Sequence, residues 1–167
     1  MIVASAIEKM IAFYQGNLHD INHFLKVWAF AKTIGEQEGL DDQTQLTLEL
    51  AAVVHDIACP LCRQKYGSTN GKYQELESPP LIEQFFAGLP VERQRAERIS
   101  WLAAHHHTYT NVEGLDYQIL LEADFLVNAD ENGVSRPAIE SMRQSVFRTA
   151  AGIRLLDGMY LRAEDNA

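Results

Sequence analysis

The residues of this chain able to do chemistry fall in a definite order: His23, then adjacent His55 and Asp56, then His105, His106 and His107, and finally Asp124. The His55–Asp56 step closes the apolar run Leu50–Val54. An acid beside a histidine at the inner end of a greasy helix is costly to bury unless something compensates both. A divalent cation does so, because neutral imidazole nitrogen and carboxylate oxygen both ligate zinc, iron or manganese. His23 lies 32 residues upstream, and Asp124 sits among Leu121, Ala123, Phe125 and Leu126. For any one of these residues the plainer reading is a hydrogen-bonded core or helix-end side chain. All of them in this order read as a metal constellation spread over several helices.

The elements that must position these groups are helical almost throughout. Ile2, Ala6, Met10, Phe13 and Tyr14 recur at helical spacing in a first helix. Asp20 is placed to cap a second, in which His23, Val27 and Ala31 share a face and which Gly35 and Gly39 bring to an end. Asp41 or Asp42 caps a third that runs through Leu46, Leu50, Val53 and Val54 to His55–Asp56. The pattern fails from Ile57 to Ser78, a stretch expected to be a mobile loop around Gly67–Gly71. Pro79–Pro80 is expected to open a short helix through Phe85 and Phe86, and Val91–His105 forms another. Asp116 caps the helix carrying Ile119, Leu120, Ala123 and Val127, and residues 137–162 supply one or two more. There is no hairpin signal, internal repeat or linker, so residues 1–167 read as one all-α domain.

Three blocks together resemble the HD-domain superfamily, all-α metal-dependent phosphohydrolases named for their His-Asp pair. Residues 20–27 (Asp-Ile-Asn-His-Phe-Leu-Lys-Val) resemble the helix of the first histidine, and residues 51–57 (Ala-Ala-Val-Val-His-Asp-Ile) the signature. Residues 120–124 (Leu-Leu-Glu-Ala-Asp) resemble the helix of the closing aspartate. The resemblance spans residues 18 to 130 and implies an HD-type helical bundle in which His23, His55, Asp56 and Asp124 close on one metal. Many members hold a second metal through further histidines between the signature and the last aspartate. Adjacent helical residues point about 100° apart, so at most two of the histidine triplet face one centre. His105 and His106 are the expected ligands, and His107 is expected to be solvated or to stand behind them. The family histidine near a Gly-Pro step is absent. Glu77–Ser78–Pro79 stands there, making Glu77 a candidate ligand or general base and leaving one or two ions open. His19, one turn before His23, is expected at the surface, and Glu122 away from the metal.

The ligand set suits iron, manganese, zinc, cobalt or nickel better than Mg²⁺. In the phosphohydrolase that the resemblance implies, Asp56 both ligates and helps orient the attacking hydroxide. Lys26, three residues after His23, leans over the same cleft, while Arg63, Lys65 and Lys72 decorate the loop after the signature. One of these bases would offset charge developing on a phosphoryl group, though each also reads as a solvated surface charge. Tyr66, Tyr73 and Tyr109 either stack on a substrate ring or pack the loops, and Asn128 is placed to touch substrate or support Asp124. The expected substrate is a small phosphorylated metabolite, a nucleotide or related phosphoester. A di-iron oxygenase or a non-catalytic metal or nucleotide sensor would use the same ligands.

The totals agree with that frame. Composition is 47% hydrophobic and 22% charged, ordinary for a globular domain. Net charge is −9, from 23 acids and 14 bases, which argues against a long nucleic-acid partner. Locally, bound metal and bases still permit a small phosphorylated ligand. No stretch approaches the roughly 20 apolar residues of a membrane span, and the N-terminus lacks a basic leader. Cys59 and Cys62, in Cys-Pro-Leu-Cys, read as two thiols in a reducing cytoplasm, with no second pair to build a zinc site. Phe85, Phe86, Trp101 and Tyr160 serve as core or as a homo-oligomer interface.

Overall fold

The computed structural model describes residues 2–162, and all regular structure among them is helical. Met1 and residues 163–167 of the expected 1–167 domain lie outside the described residues. The helices are α1 (Ile2–Tyr14), α2 (Leu18–Glu38), α3 (Asp42–Val54), α4 (Cys59–Tyr66), α5 (Gly71–Phe86), α6 (Arg93–His105), α7 (Leu115–Glu131), α8 (Arg136–Ser145) and α9 (Ala150–Leu156). A π-helical turn, Asp157–Leu161, follows.

Helix α3 is the axis of the fold. Every residue from Thr47 to Val54 is buried, as expected of a helix covered on all sides. Asp41 starts it, accepting hydrogen bonds from the backbone N–H groups of Gln43 and Thr44 at 2.9 and 3.1 Å. Around it pack α1, α2, α6 and α7. The stretch Asp42–Tyr66 is long and apolar enough to cross a membrane by length and composition, but 72% of its apolar window is buried inside the fold. It is the core of this domain. Glu49 fastens α3 to α2 by accepting from Trp28, at 3.0 Å, and from Lys32, at 3.2 Å.

Several local expectations give way to tertiary packing. The cap of α2 is Asn17, whose side chain accepts from the N–H of Asp20 at 3.2 Å. Asp20 is thereby released to pair with Arg63. Helix α2 runs through Gly35, where a Cβ would collide with the Gln45 side chain, and ends at Gly39 with φ 72°. Residues 57–78 are not a loop: α4 runs to Tyr66, capped by Gly67, and α5 begins at Gly71 behind its Asn70 cap. Pro79 and Pro80 lie inside α5 rather than at its start. The buried positions Gln74, Ser78, Ile82 and Phe85 keep helical spacing straight through them. Packing of that stripe along α6 outweighs the lost N–H donors.

Helix α7 starts one residue before Asp116, which instead takes a two-pronged ion pair from Arg98 of α6 at 2.7 and 2.9 Å. Glu122, fully buried, accepts from Gln118 Nε2 and from the backbone N–H groups of Arg148 and Thr149 at 2.7, 2.7 and 3.0 Å, and from the Thr149 hydroxyl. It thus pins the α8–α9 connection onto α7. Phe85 and Phe86 belong to the core, whereas Trp101 is 37% exposed. Tyr160 packs against the core and donates to the Leu126 carbonyl at 2.5 Å.

Candidate metal centre

Four elements converge on one buried cluster. His55 and Asp56 emerge where α3 ends, His23 comes from the first half of α2, Asp124 from the middle of α7, and His106 from the residue just past α6. His55, His106 and Asp124 are at most 2% exposed, and His23 is 7% exposed. The Asp56 side chain, 21% exposed, is the member that meets solvent. Its backbone carbonyl accepts from the Tyr14 hydroxyl at 3.2 Å, which ties α1 to the centre.

Each buried imidazole has one nitrogen committed. His55 Nδ1–H donates to the Ala52 carbonyl at 2.8 Å, and His106 Nδ1–H to the Ala103 carbonyl at 2.7 Å. His23 Nδ1–H donates to Glu131 Oε2 at 2.8 Å. These acceptors leave Nε2 of each neutral ring as a lone pair directed inward. The His23 and His55 Nε2 atoms are 3.1 Å apart. Asp124 Oδ1 lies 3.3 and 3.5 Å from them, and Asp56 Oδ2 lies 3.5 and 3.7 Å from them. Ligands held about 2.1 Å from one ion stand about 3.0 Å apart at right angles and about 3.4 Å apart at the tetrahedral angle. His23, His55 and Asp124 therefore have the mutual spacing of ligands around a single cation, and Asp56 Oδ2 lies within the same range of both imidazoles. Two facing lone pairs repel unless a cation or a proton lies between them.

A second set adjoins the first. His106 Nε2 is 3.3 Å from Asp56 Oδ1, yet both atoms are buried with no hydrogen-bond partner, an arrangement that polar groups normally avoid. Ligand atoms of His106, His107 and Asp124 also lie within 4.8 Å of one another. The residues present fit a divalent metal, with donors to spare on the His106 side.

Electrostatics in the metal-free protein carry the same message. Burial opposes charge on His23, but the hydrogen bond to Asp124, the charges of Asp56 and Asp124 and the hydrogen bond to Glu131 outweigh it and lift its pKa to about 9. Burial likewise opposes charge on Asp56 and Asp124. The neighbouring imidazoles win, and both carboxyls stay well below the usual range. The site demands positive charge.

The remaining sequence candidates are distributed differently. His105 does not reach the cluster: it is the last residue of α6, stacked on Trp101 at 4.3 Å, with Nδ1 bonded to the Trp101 carbonyl. His106 and His107 lie beyond the helix end, so helical phase does not govern them. For this reason His107 comes near His106 and Asp124, although its ring is exposed and accepts from the Gln74 amide at 2.9 Å. Glu77 is also away from the cluster, held by Lys65 and Tyr66 at 2.5 Å each. Lys26 pairs with Glu131 at 3.1 Å, and Arg63 pairs with Asp20 at 2.8 and 2.9 Å. Lys72 and His19 are exposed. Asn128 donates to Asp124 Oδ1 at 2.8 Å and so supports the aspartate. Tyr66 and Tyr73 stack on each other at 4.0 Å, packing α4 onto α5. Glu131 escaped the sequence reading. Its signal was present, because it follows Asp124 by seven residues, two turns along the same face of α7.

Comparison with known proteins agrees with this geometry. The family model for the HD domain matches residues 20–132. No curated protein sequence matches the chain. Among solved structures, a predicted HD superfamily hydrolase from an uncultured Thermotogales bacterium superposes with a TM-score of 0.61 at 20% identity, covering 95% of this chain and 83% of that one. The chain belongs to the HD-domain family, whose members bind divalent metals.

Proposed function

We propose that this protein is a metal-dependent phosphohydrolase acting on a small phosphorylated metabolite, a nucleotide or related phosphoester. The observation that carries the reading is the spacing of His23 Nε2, His55 Nε2, Asp56 Oδ2 and Asp124 Oδ1, between 3.1 and 3.7 Å for the distances above. These four residues would hold a divalent transition metal, with His106 and Asp56 Oδ1 as donors toward a second. A metal held there supplies a hydroxide nucleophile near neutral pH and polarises a phosphoryl oxygen.

The protein's own groups supply the rest. Asp56 is the solvent-facing member of the set and uses its two oxygens toward different neighbours, so it orients the attacking oxygen while ligating. Asn128 fixes the rotamer of Asp124, and Tyr14 fixes the backbone of Asp56. Arg63 stands close enough that its charge, with those of Asp20 and Asp56, acts on both Tyr14 and Cys59. Asp20 holds its guanidinium in place, and the remaining N–H groups are free to meet a phosphate oxygen. Lys65 and Lys72 lie on the adjoining α4 and α5.

The test is metal content of the purified protein, paired with hydrolysis of p-nitrophenyl phosphate, its bis-ester and nucleotides. Hydrolysis, read as p-nitrophenol from the two nitrophenyl esters and as phosphate or nucleoside product from nucleotides, should vanish with chelator, return with Mn²⁺ or Co²⁺, and be absent in Asp56→Ala. Bound metal without turnover of any phosphoester would refute the proposed chemistry.

A further inference from the structure

Of the three buried imidazoles, one is held differently from the others. His55 and His106 donate Nδ1–H to a carbonyl three residues back, at 2.8 and 2.7 Å. Both rings sit at or just past a helix end, where such a carbonyl is in reach. His23 lies inside α2, where the backbone carbonyls are consumed by the helix itself. Its Nδ1 reaches across to Glu131 Oε2, in the last turn of α7, at 2.8 Å. The other oxygen, Oε1, takes Lys26 Nζ at 3.1 Å. Lys26 stands three residues after His23, so His23, Glu131 and Lys26 close a loop between α2 and α7. The helix that delivers Asp124 also delivers the group that orients His23.

We infer that Glu131 is a positioning residue that keeps a proton on His23 Nδ1, so that Nε2 is the nitrogen left to meet a metal, and that Lys26 serves Glu131 rather than substrate. A carboxylate accepts and cannot donate, so the proton stays on Nδ1. As a charged acceptor it also makes the imidazole a stronger ligand than a carbonyl would. Lys26, with its side chain 48% exposed, holds the carboxylate of Glu131, which is only 10% exposed, in that orientation. The inference rests on the metal reading proposed above.

The experiment uses the full chain and Zn²⁺, with affinity measured by competition against a chromophoric chelator and imidazole N–H signals followed by ¹⁵N NMR. Wild type should show protected Nδ1–H signals for His23, His55 and His106. Glu131→Ala should lose the His23 signal alone and bind Zn²⁺ about 10- to 100-fold more weakly. Glu131→Gln, whose amide oxygen still accepts, should keep the signal and lose less affinity. Lys26→Met should also lose less than Glu131→Ala. If Glu131→Ala does not fold, Glu131→Gln decides: affinity equal to wild type overturns the role of the charge. A folded Glu131→Ala with wild-type affinity and all three signals overturns this inference and leaves the metal reading standing. A wild-type protein that binds no Zn²⁺ overturns both.

Discussion

Metal binding to this centre should be coupled to proton release, with a size that follows from the site. In the metal-free protein His23 holds its second proton with a pKa of about 9. At pH 7 only about 1% of the molecules then present the neutral ring, and an incoming ion must displace the proton from the rest. Apparent affinity at pH 7 is therefore about 100-fold below its high-pH limit, a difference of about 2.7 kcal/mol. The sign is unambiguous: affinity rises tenfold per pH unit while pH is below the raised pKa, and levels off above it. Burial and the Asp56 contact act on His106 in opposite senses, with a net upward shift. An ion reaching its Nε2 would release a further proton. Titration calorimetry with Mn²⁺ from pH 6.5 to 8.5, in buffers of different ionisation enthalpy, measures both slope and proton count. About one proton per protein indicates a single ion on the His23–His55–Asp56–Asp124 set, and release beyond one indicates that His106 is engaged. Affinity that is flat with pH and accompanied by no proton release would refute the reasoning, since it would mean that His23 does not hold the place of the cation.

Three further predictions separate the centre from the scaffold. His106→Ala should lower metal affinity by about tenfold or more or remove a second ion, whereas His105→Ala, whose ring stacks on Trp101, should leave metal content unchanged; elemental analysis and calorimetry compare them. Glu122→Ala should destabilise the protein by about 3 kcal/mol or more, because it strips the acceptor from two backbone N–H groups, an amide and a buried hydroxyl. Gly152→Ala should act on the same knot, since a Cβ there would collide with the Glu122 carboxylate. Urea unfolding measures both, and a cost under 1 kcal/mol would show that the knot is not structural.

Much of this protein was legible in its sequence because the relevant signals are local. Helical periodicity, the Asp41 cap and the apolar run ending in His55–Asp56 are properties of consecutive residues. The order of His23, His55, Asp56 and Asp124 singled out residues that the fold brings together, before any contact was known. Local signals failed where distant surfaces competed with them. Pro79–Pro80 reads as a helix start, yet α5 continues through it, because the stripe from Gln74 to Phe85 gains more by packing on α6 than two prolines cost. Asp20 reads as a cap and Asp116 as another, but an arginine from a separate helix claims each. His105 missed its expected place because it is the last residue of α6 and its ring stacks on Trp101, and a helix end is set by what packs around it. The partners of Lys26, Lys65 and Arg63 were likewise hidden, since an ion pair between residues 12 to 105 positions apart leaves no trace in spacing. Residue type and order marked a candidate metal centre; only the tertiary structure decided which nitrogen and oxygen atoms face it, because that depends on how two helix ends, after α3 and α6, meet the interior of α2 and α7.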